Sequence, residues 1–234
     1  MKILHAALTV LACAAISETA IAQITVGTFD TGNCYPFMCN DSGTSVGQSI
    51  EYQQVYSSAA FSMPVAITSE TFYWQGAQIF GGSDTLLGGS YLFSLSTTAA
   101  PVNGLSSTLA SNLGPDNAPV LLFSVPAGGQ SFGTSFTFHN AVPFFYNPGL
   151  GNLLLDVTVS NQDVVPNGSG NSYNDDDSTG SVTSRAYAFT GSPVGSADSN
   201  GLVTTFNAVP EPSAFLPLAG LLGLGGLLRR KFRG

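Results

Sequence analysis

The chain has 234 residues, a formal charge of −8 and only 9% charged residues. Five of its six basic residues, Lys2, Arg229, Arg230, Lys231 and Arg233, sit at the two ends, so the stretch 23–208 sets one cation, Arg185, against twelve acids, a formal −11. Such a surface cannot neutralise phosphates, which excludes nucleic-acid binding, and it lacks the basic patch that anionic lipid attracts.

The chain opens with Met1-Lys2, an apolar run from Ala6 to Ile16, and then Ala20-Ile21-Ala22. A basic start, an apolar core and an Ala-x-Ala site read as a secretory signal peptide over 1–22, cut after Ala22 to leave Gln23 first. The alternatives are a buried N-terminal helix and lipid attachment at Cys13, for which Leu11 is a poor neighbour. The remainder, 23–208, has the size of one domain with a real core. Cys34 and Cys39 survive the cut, and export favours a disulfide between them, a short clip on the N-terminal loop that contributes roughly 2 kcal/mol.

Period-two alternation then recurs. Strands are expected at Ile24–Phe29, Ser49–Tyr56, Val65–Trp74, Tyr91–Thr97, Val120–Val125, Phe132–Phe138, Leu153–Ser160, Val182–Thr190 and Leu202–Asn207, about nine in all. Gly-, Asn- and Pro-rich clusters separate them, including Gly81-Gly82-Ser83-Asp84, Gly128-Gly129 and Asn147-Pro148-Gly149. Leu105–Asn112 could form one helical turn. Short strands without a long helical pattern predict an all-β domain, a jelly-roll-like β-sandwich.

Candidate sites are few. A Ser-His-Asp triad would have to use His139, the one histidine of 23–208, and no G-x-S-x-G elbow accompanies it. A glycosidase needs two positioned carboxylates. The only glutamates here are Glu51 and Glu70, on alternating strands, and Asp156 is expected to face water. Asp175, Asp176 and Asp177 form the strongest local anomaly. Three successive carboxylates are either a solvated acidic loop or hard oxygen ligands for Ca²⁺, although the spacing is not that of an EF-hand. Tyr73, Trp74 and Tyr91 are candidates for stacking on sugar rings, or else core residues.

The end reads Val209-Pro210-Glu211-Pro212, an apolar stretch from Ala214 to Leu228, and then Arg229, Arg230, Lys231 and Arg233. The prolines hold the backbone extended, as proteases bind substrates. The apolar stretch could be a short transmembrane helix, somewhat less than the ~30 Å of a hydrocarbon core, and the basic cluster would stay cytoplasmic.

This tail, residues 209–234, resembles the PEP-CTERM sorting signal. The resemblance implies recognition of Pro210, Glu211 and Pro212 by an exosortase, an inner-membrane cysteine-type transpeptidase, with the basic cluster as a retention signal. It also implies a Gram-negative host that makes exopolysaccharide. Two further segments, Tyr52-Gln53-Gln54-Val55-Tyr56 and Tyr146 through Asp156, resemble PEP-CTERM β-sandwich proteins. The expected protein passes the translocon and signal peptidase, rests in the inner membrane through its tail, and reaches the cell surface. There it acts as a noncatalytic, matrix-associated protein, glycan-binding with or without calcium. The alternatives are a structural surface coat without a ligand and a carbohydrate-active hydrolase.

Overall fold

Alternating apolar residues build every large strand. The structure, a computed structural model, describes residues 21–38, 48–74, 85–163, 174–189, 192 and 194–210. In chain order the strands are β1 (Ala22–Val26), β2 (Thr31–Asn33), β3 (Gln48–Tyr56), β4 (Val65–Tyr73), β5 (Thr85–Leu86), β6 (Gly89–Thr98), β7 (Ala118–Val125), β8 (Gln130–Ser131), β9 (Ser135–Tyr146), β10 (Asn152–Gln162), β11 (Asn174–Asp177), β12 (Thr183–Phe189), β13 (Ser196–Asp198), β14 (Gly201–Leu202) and β15 (Thr204–Pro210). A four-stranded sheet runs β1-β15-β4-β9 and a six-stranded sheet β13-β12-β3-β10-β6-β7, every pairing antiparallel. Two smaller sheets, β14-β11-β2 and β5-β8, complete an all-β, sandwich-like fold.

The inner faces meet in an aromatic core. Phe72, Phe136, Phe138 and Phe206 come from the four-stranded sheet, and Tyr52, Tyr56, Tyr91, Phe93, Leu155 and Val157 from the six-stranded one. Each such side chain stabilises by roughly 1.5–3 kcal/mol on leaving water. Between the sheets sits Phe37, fully buried, with ring centroids 5.0 Å from Phe72, 5.1 Å from Phe136 and 5.6 Å from Phe138. Phe37 belongs to the turn after β2, where Met38 N–H donates to the Cys34 carbonyl at 2.8 Å. Cys34 is disulfide-bonded; its expected partner Cys39 lies outside the described residues. The N-terminal loop that carries Cys34 is not peripheral. The segment it anchors supplies the centre of the core.

The six-stranded sheet is also covered on its outer side. Residues 99–117 lay Leu105 over Val55, Leu154 and Ala186, with Ala100, Val102 and Leu113 packed against them. The helical turn expected there is a 3-10 turn at Leu109–Asn112. This cover explains why Leu154, on the side where alternation predicts polar residues, is fully buried.

Each of the nine expected strands has a counterpart, with two instructive shifts in their bounds. The first ends at Val26, because Gly27 takes φ +95° and leaves Phe29 exposed. The expected Phe132–Phe138 strand starts at Ser135 and runs on to Tyr146, through a register shift opposite Ile67 and Ser69. Ala20, Glu211, Pro212, Arg229, Arg230, Lys231 and Arg233 lie outside the described residues, as does the Gly81–Asp84 turn. Among the described residues no helix is long and apolar enough to cross a membrane.

Candidate functional site

The acidic run is not a loop. Asn174–Asp177 is strand β11, hydrogen-bonded between β2 and β14. Successive side chains of a strand point to opposite faces, so Asp176 leaves on one side and Asp175 and Asp177 on the other. The three carboxylates cannot close on one calcium ion. Among the described residues no group of three or more His, Cys, Asp or Glu side chains is placed to hold a metal.

Asp177 works as a local clamp. Its Oδ2 accepts from Thr28 N–H at 3.0 Å and its Oδ1 from Thr179 N–H at 2.9 Å and the Thr179 hydroxyl at 2.6 Å. These bonds shape an open cleft of about 320 Å³ between the end of β1 and the turn after β11, lined by Thr25, Thr28, Asp177, Thr179 and Ser181. Asp175 is half-buried.

Asp176 points inward and is fully buried, with neither oxygen hydrogen-bonded. Burial pushes its carboxyl up to about 7. Arg185 opposes that shift, while Asp198, Asp30 and Asp177 add to it. Arg185 projects from β12 and binds Asp198 on β13 in a fork, Nε to Oδ1 at 2.8 Å and Nη2 to Oδ2 at 2.9 Å. Its guanidinium lies over Tyr187 at 5.1 Å and Tyr35 at 5.8 Å. The single cation of 23–208 is thus buried to 8% side-chain exposure.

Of the stacking candidates, Tyr91 is corrected outright. It is 1% exposed, and its hydroxyl donates to the Leu87 carbonyl at 2.7 Å, so no sugar ring reaches it. Trp74 is half-buried against the core, and its backbone bridges to Asn174. Tyr73 is half-buried on the outer side of the four-stranded sheet, its hydroxyl 2.6 Å from Thr205 Oγ1.

Glu51 and Asp156 share one amide partner, Gln53 Nε2, on the outer face of the six-stranded sheet, and Glu70 stands apart from them. Glu51 faces outward from the six-stranded sheet, whereas Glu70 points into the core from the four-stranded one. Asp156, expected to face water, is 9% exposed at the edge of the 99–117 cover. It accepts from Gln53 Nε2 at 3.0 Å, and Gln53 also meets Glu51 at 3.3 Å and takes a bond from Asn112 at 2.8 Å. Burial lifts Asp156 to about 6. His139 is exposed on β9, opposite Ser69.

Glu70 is the most confined acid. Its Oε1 accepts from Asn140 Nδ2 at 3.0 Å, while Glu70 Oε2 and Asn140 Oδ1 are both buried without partners. A proton on Oε2 would spare this enclosed site a buried charge. Burial raises this carboxyl from 4.5 to about 7, against the Asn140 bond. A carboxyl raised in the folded state contributes stability that is full below its unfolded value and lost as pH rises through the folded one. Unfolding free energy is therefore expected to fall between pH 5 and pH 8. Glu70→Gln, which mimics the protonated acid, is expected to remove on the order of 3 kcal/mol of that slope. Urea denaturation across this pH range checks it; an unchanged slope in the variant would contradict the assignment.

No protein-family model matches the chain, and no curated protein matches it.

Proposed function

We propose that this chain is an exported, noncatalytic surface protein, a jelly-roll-like sandwich delivered by an exosortase-type system and associated with extracellular polysaccharide. The observation that carries the reading is that the two ends of the fold lie side by side, each at an expected processing signal. β1 begins at Ala22, the expected signal cut, and Val209 and Pro210 of the Val209-Pro210-Glu211-Pro212 motif lie in β15, the last strand among the described residues. The two ends are neighbours, because Ala22 pairs with Ala208. Cleavage after Ala22 would remove only that first pair and leave Gln23 opposite Asn207.

The noncatalytic part of the proposal rests on chemistry. Of the described carboxylates raised by burial, Glu51 and Asp156 come together on the outer face of the six-stranded sheet, but one amide nitrogen of Gln53 ties both; Glu70 and Asp176 point inward, and the aromatic centre is packed rather than hollow. The surface supports association with neutral or weakly charged polymers better than with polyanions, since Arg185 is committed to the interior.

The test is fractionation of a Gram-negative host that carries an exosortase. Wild-type chain is expected at the cell surface or in the medium. The Glu211→Ala variant, and wild-type chain in a host lacking the exosortase, are expected to stay in the inner membrane. Equal distribution in all three cases would overturn the sorting assignment.

A further inference from the structure

Signal removal after Ala22 makes Gln23 the first residue, and the fold fixes where that residue stands. Gln23 lies on β1, which has one neighbour among the described strands, and pairs with Asn207 on β15. Its side chain is exposed and held by one bond, Nε2 to Asn207 Oδ1 at 3.3 Å. Glutamines elsewhere are confined. Gln53, Gln54 and Gln162 are fully buried, and Gln54 both donates to and accepts from the Leu202 backbone at 2.8 Å. The amide at position 23 can instead swing back toward its own backbone nitrogen once that nitrogen ends the chain.

We propose that Gln23 closes into a pyroglutamyl ring after signal removal, which blocks the amino terminus of the exported domain. The proposal rests on the signal cut of the reading above and adds a modification at the end it creates. The Gln23 α-nitrogen, as the unprotonated amine, attacks Cδ of its own side chain. A bond forms between that nitrogen and Cδ, the bond from Cδ to Nε2 breaks, and Nε2 leaves as ammonia with one proton from the attacking amine. No oxidant or co-reactant enters. An ordinary α-amine titrates at about 7.7–8.0, so a sizeable share is free base near neutral pH. Nucleophile and carbonyl belong to one residue, so the step escapes the entropy of bringing two molecules together.

The fold tolerates the product. The ring engages only the α-nitrogen and the side chain, so the Gln23 carbonyl and the pairing from Ile24 with Phe206 onward are untouched. What is lost is the 3.3 Å bond; Asn207 still donates to Ser69 Oγ at 2.7 Å, and its carbonyl still accepts from the Thr68 hydroxyl at 3.0 Å. The first position of an edge strand also accepts proline, the nearest ordinary analogue of such a ring. The α-ammonium disappears with ring closure, and an exopeptidase that grips a free α-amine finds none.

The experiment is mass spectrometry and amine labelling of the chain recovered from the surface or medium of a Gram-negative host, beside the Gln23→Glu variant. Residues 23–208 contain no lysine, so within that stretch the label reports the α-amine alone. Wild type is expected to begin at residue 23, lighter than the linear chain by one ammonia and unlabelled there. The variant must expel water from a carboxylate instead, and is expected to begin at the same residue, linear and labelled. A wild-type chain that begins at Gln23 with a labelled amine and no ammonia lost overturns the ring and leaves the export reading standing. A chain that begins at any other residue overturns the signal cut and the ring together.

Discussion

Phe37→Ala is expected to destabilise the protein by about 3–5 kcal/mol, a fall in melting temperature of roughly 10 °C or more. Phe37 is fully buried and touches rings from both sheets: Phe72, Phe136 and Phe138 on one side, Tyr91 and Phe93 on the other. Removing it leaves a hole that two hydrogen-bonded sheets cannot close, because their spacing is fixed by the remaining rings. Phe145→Ala deletes the same atoms from an exposed position and is expected to change stability by no more than about 0.5 kcal/mol. Thermal and urea denaturation of the two variants make the comparison. Equal, small losses would contradict the placing of Phe37 at the centre of the core.

Arg185→Ala is expected to cost a further class of stability, about 3–5 kcal/mol. The substitution leaves Asp198 without its fork and Asp176 without the one positive charge that opposes its burial. It also strips the cation from above Tyr187 and Tyr35. The pH dependence separates charge from packing. With the guanidinium gone, the Asp176 carboxyl rises further above its ordinary range, so protonation at pH 5 relieves much of the penalty while pH 8 exposes it in full. Adding Asp176→Asn to Arg185→Ala is expected to recover part of the loss at pH 8. A loss that is identical at pH 5 and pH 8, and unmoved by Asp176→Asn, would assign it to packing alone.

Much of the sandwich is legible because alternation and burial share a cause. β6 and β10 put Tyr91, Phe93, Leu95, Leu153, Leu155 and Val157 inward as their period requires. The same rule fails where a second layer covers a strand. Leu154 and Asp156 lie on the outer side of β10 and are buried only because residues 99–117 fold over them, a long-range event with no local signature. β11 was hidden for the opposite reason. Its Asn-Asp-Asp-Asp sequence has poor strand propensity, yet β2 and β14 supply backbone partners on both sides. The partnerships of Gln54 follow the same logic: it pairs with Leu202 through both its amide atoms at 2.8 Å, mimicking a strand edge inside the core.

Rows of side chains that cross a sheet were harder to see than its strands. Thr25, Thr71, Thr137 and Thr205 are far apart in sequence and become a row only through three registers at once. Tyr91 is a stacking candidate by residue type, but its strand turns it inward, while Phe29 and Phe145, without a polar tip, stand exposed. The ends of the chain are the reverse case. The signals expected there are short and local, and of their residues only Ile21, Ala22, Val209 and Pro210 are among the described ones.

The most direct test of the exported-surface account is the intact mass of the protein recovered from the surface or medium of an exosortase-bearing host. The account predicts a chain that begins at Gln23 and has lost the apolar stretch and basic cluster that follow Pro212. A recovered chain that still carries residues 1–22, or that keeps Arg229 through Arg233 at its end, would contradict it.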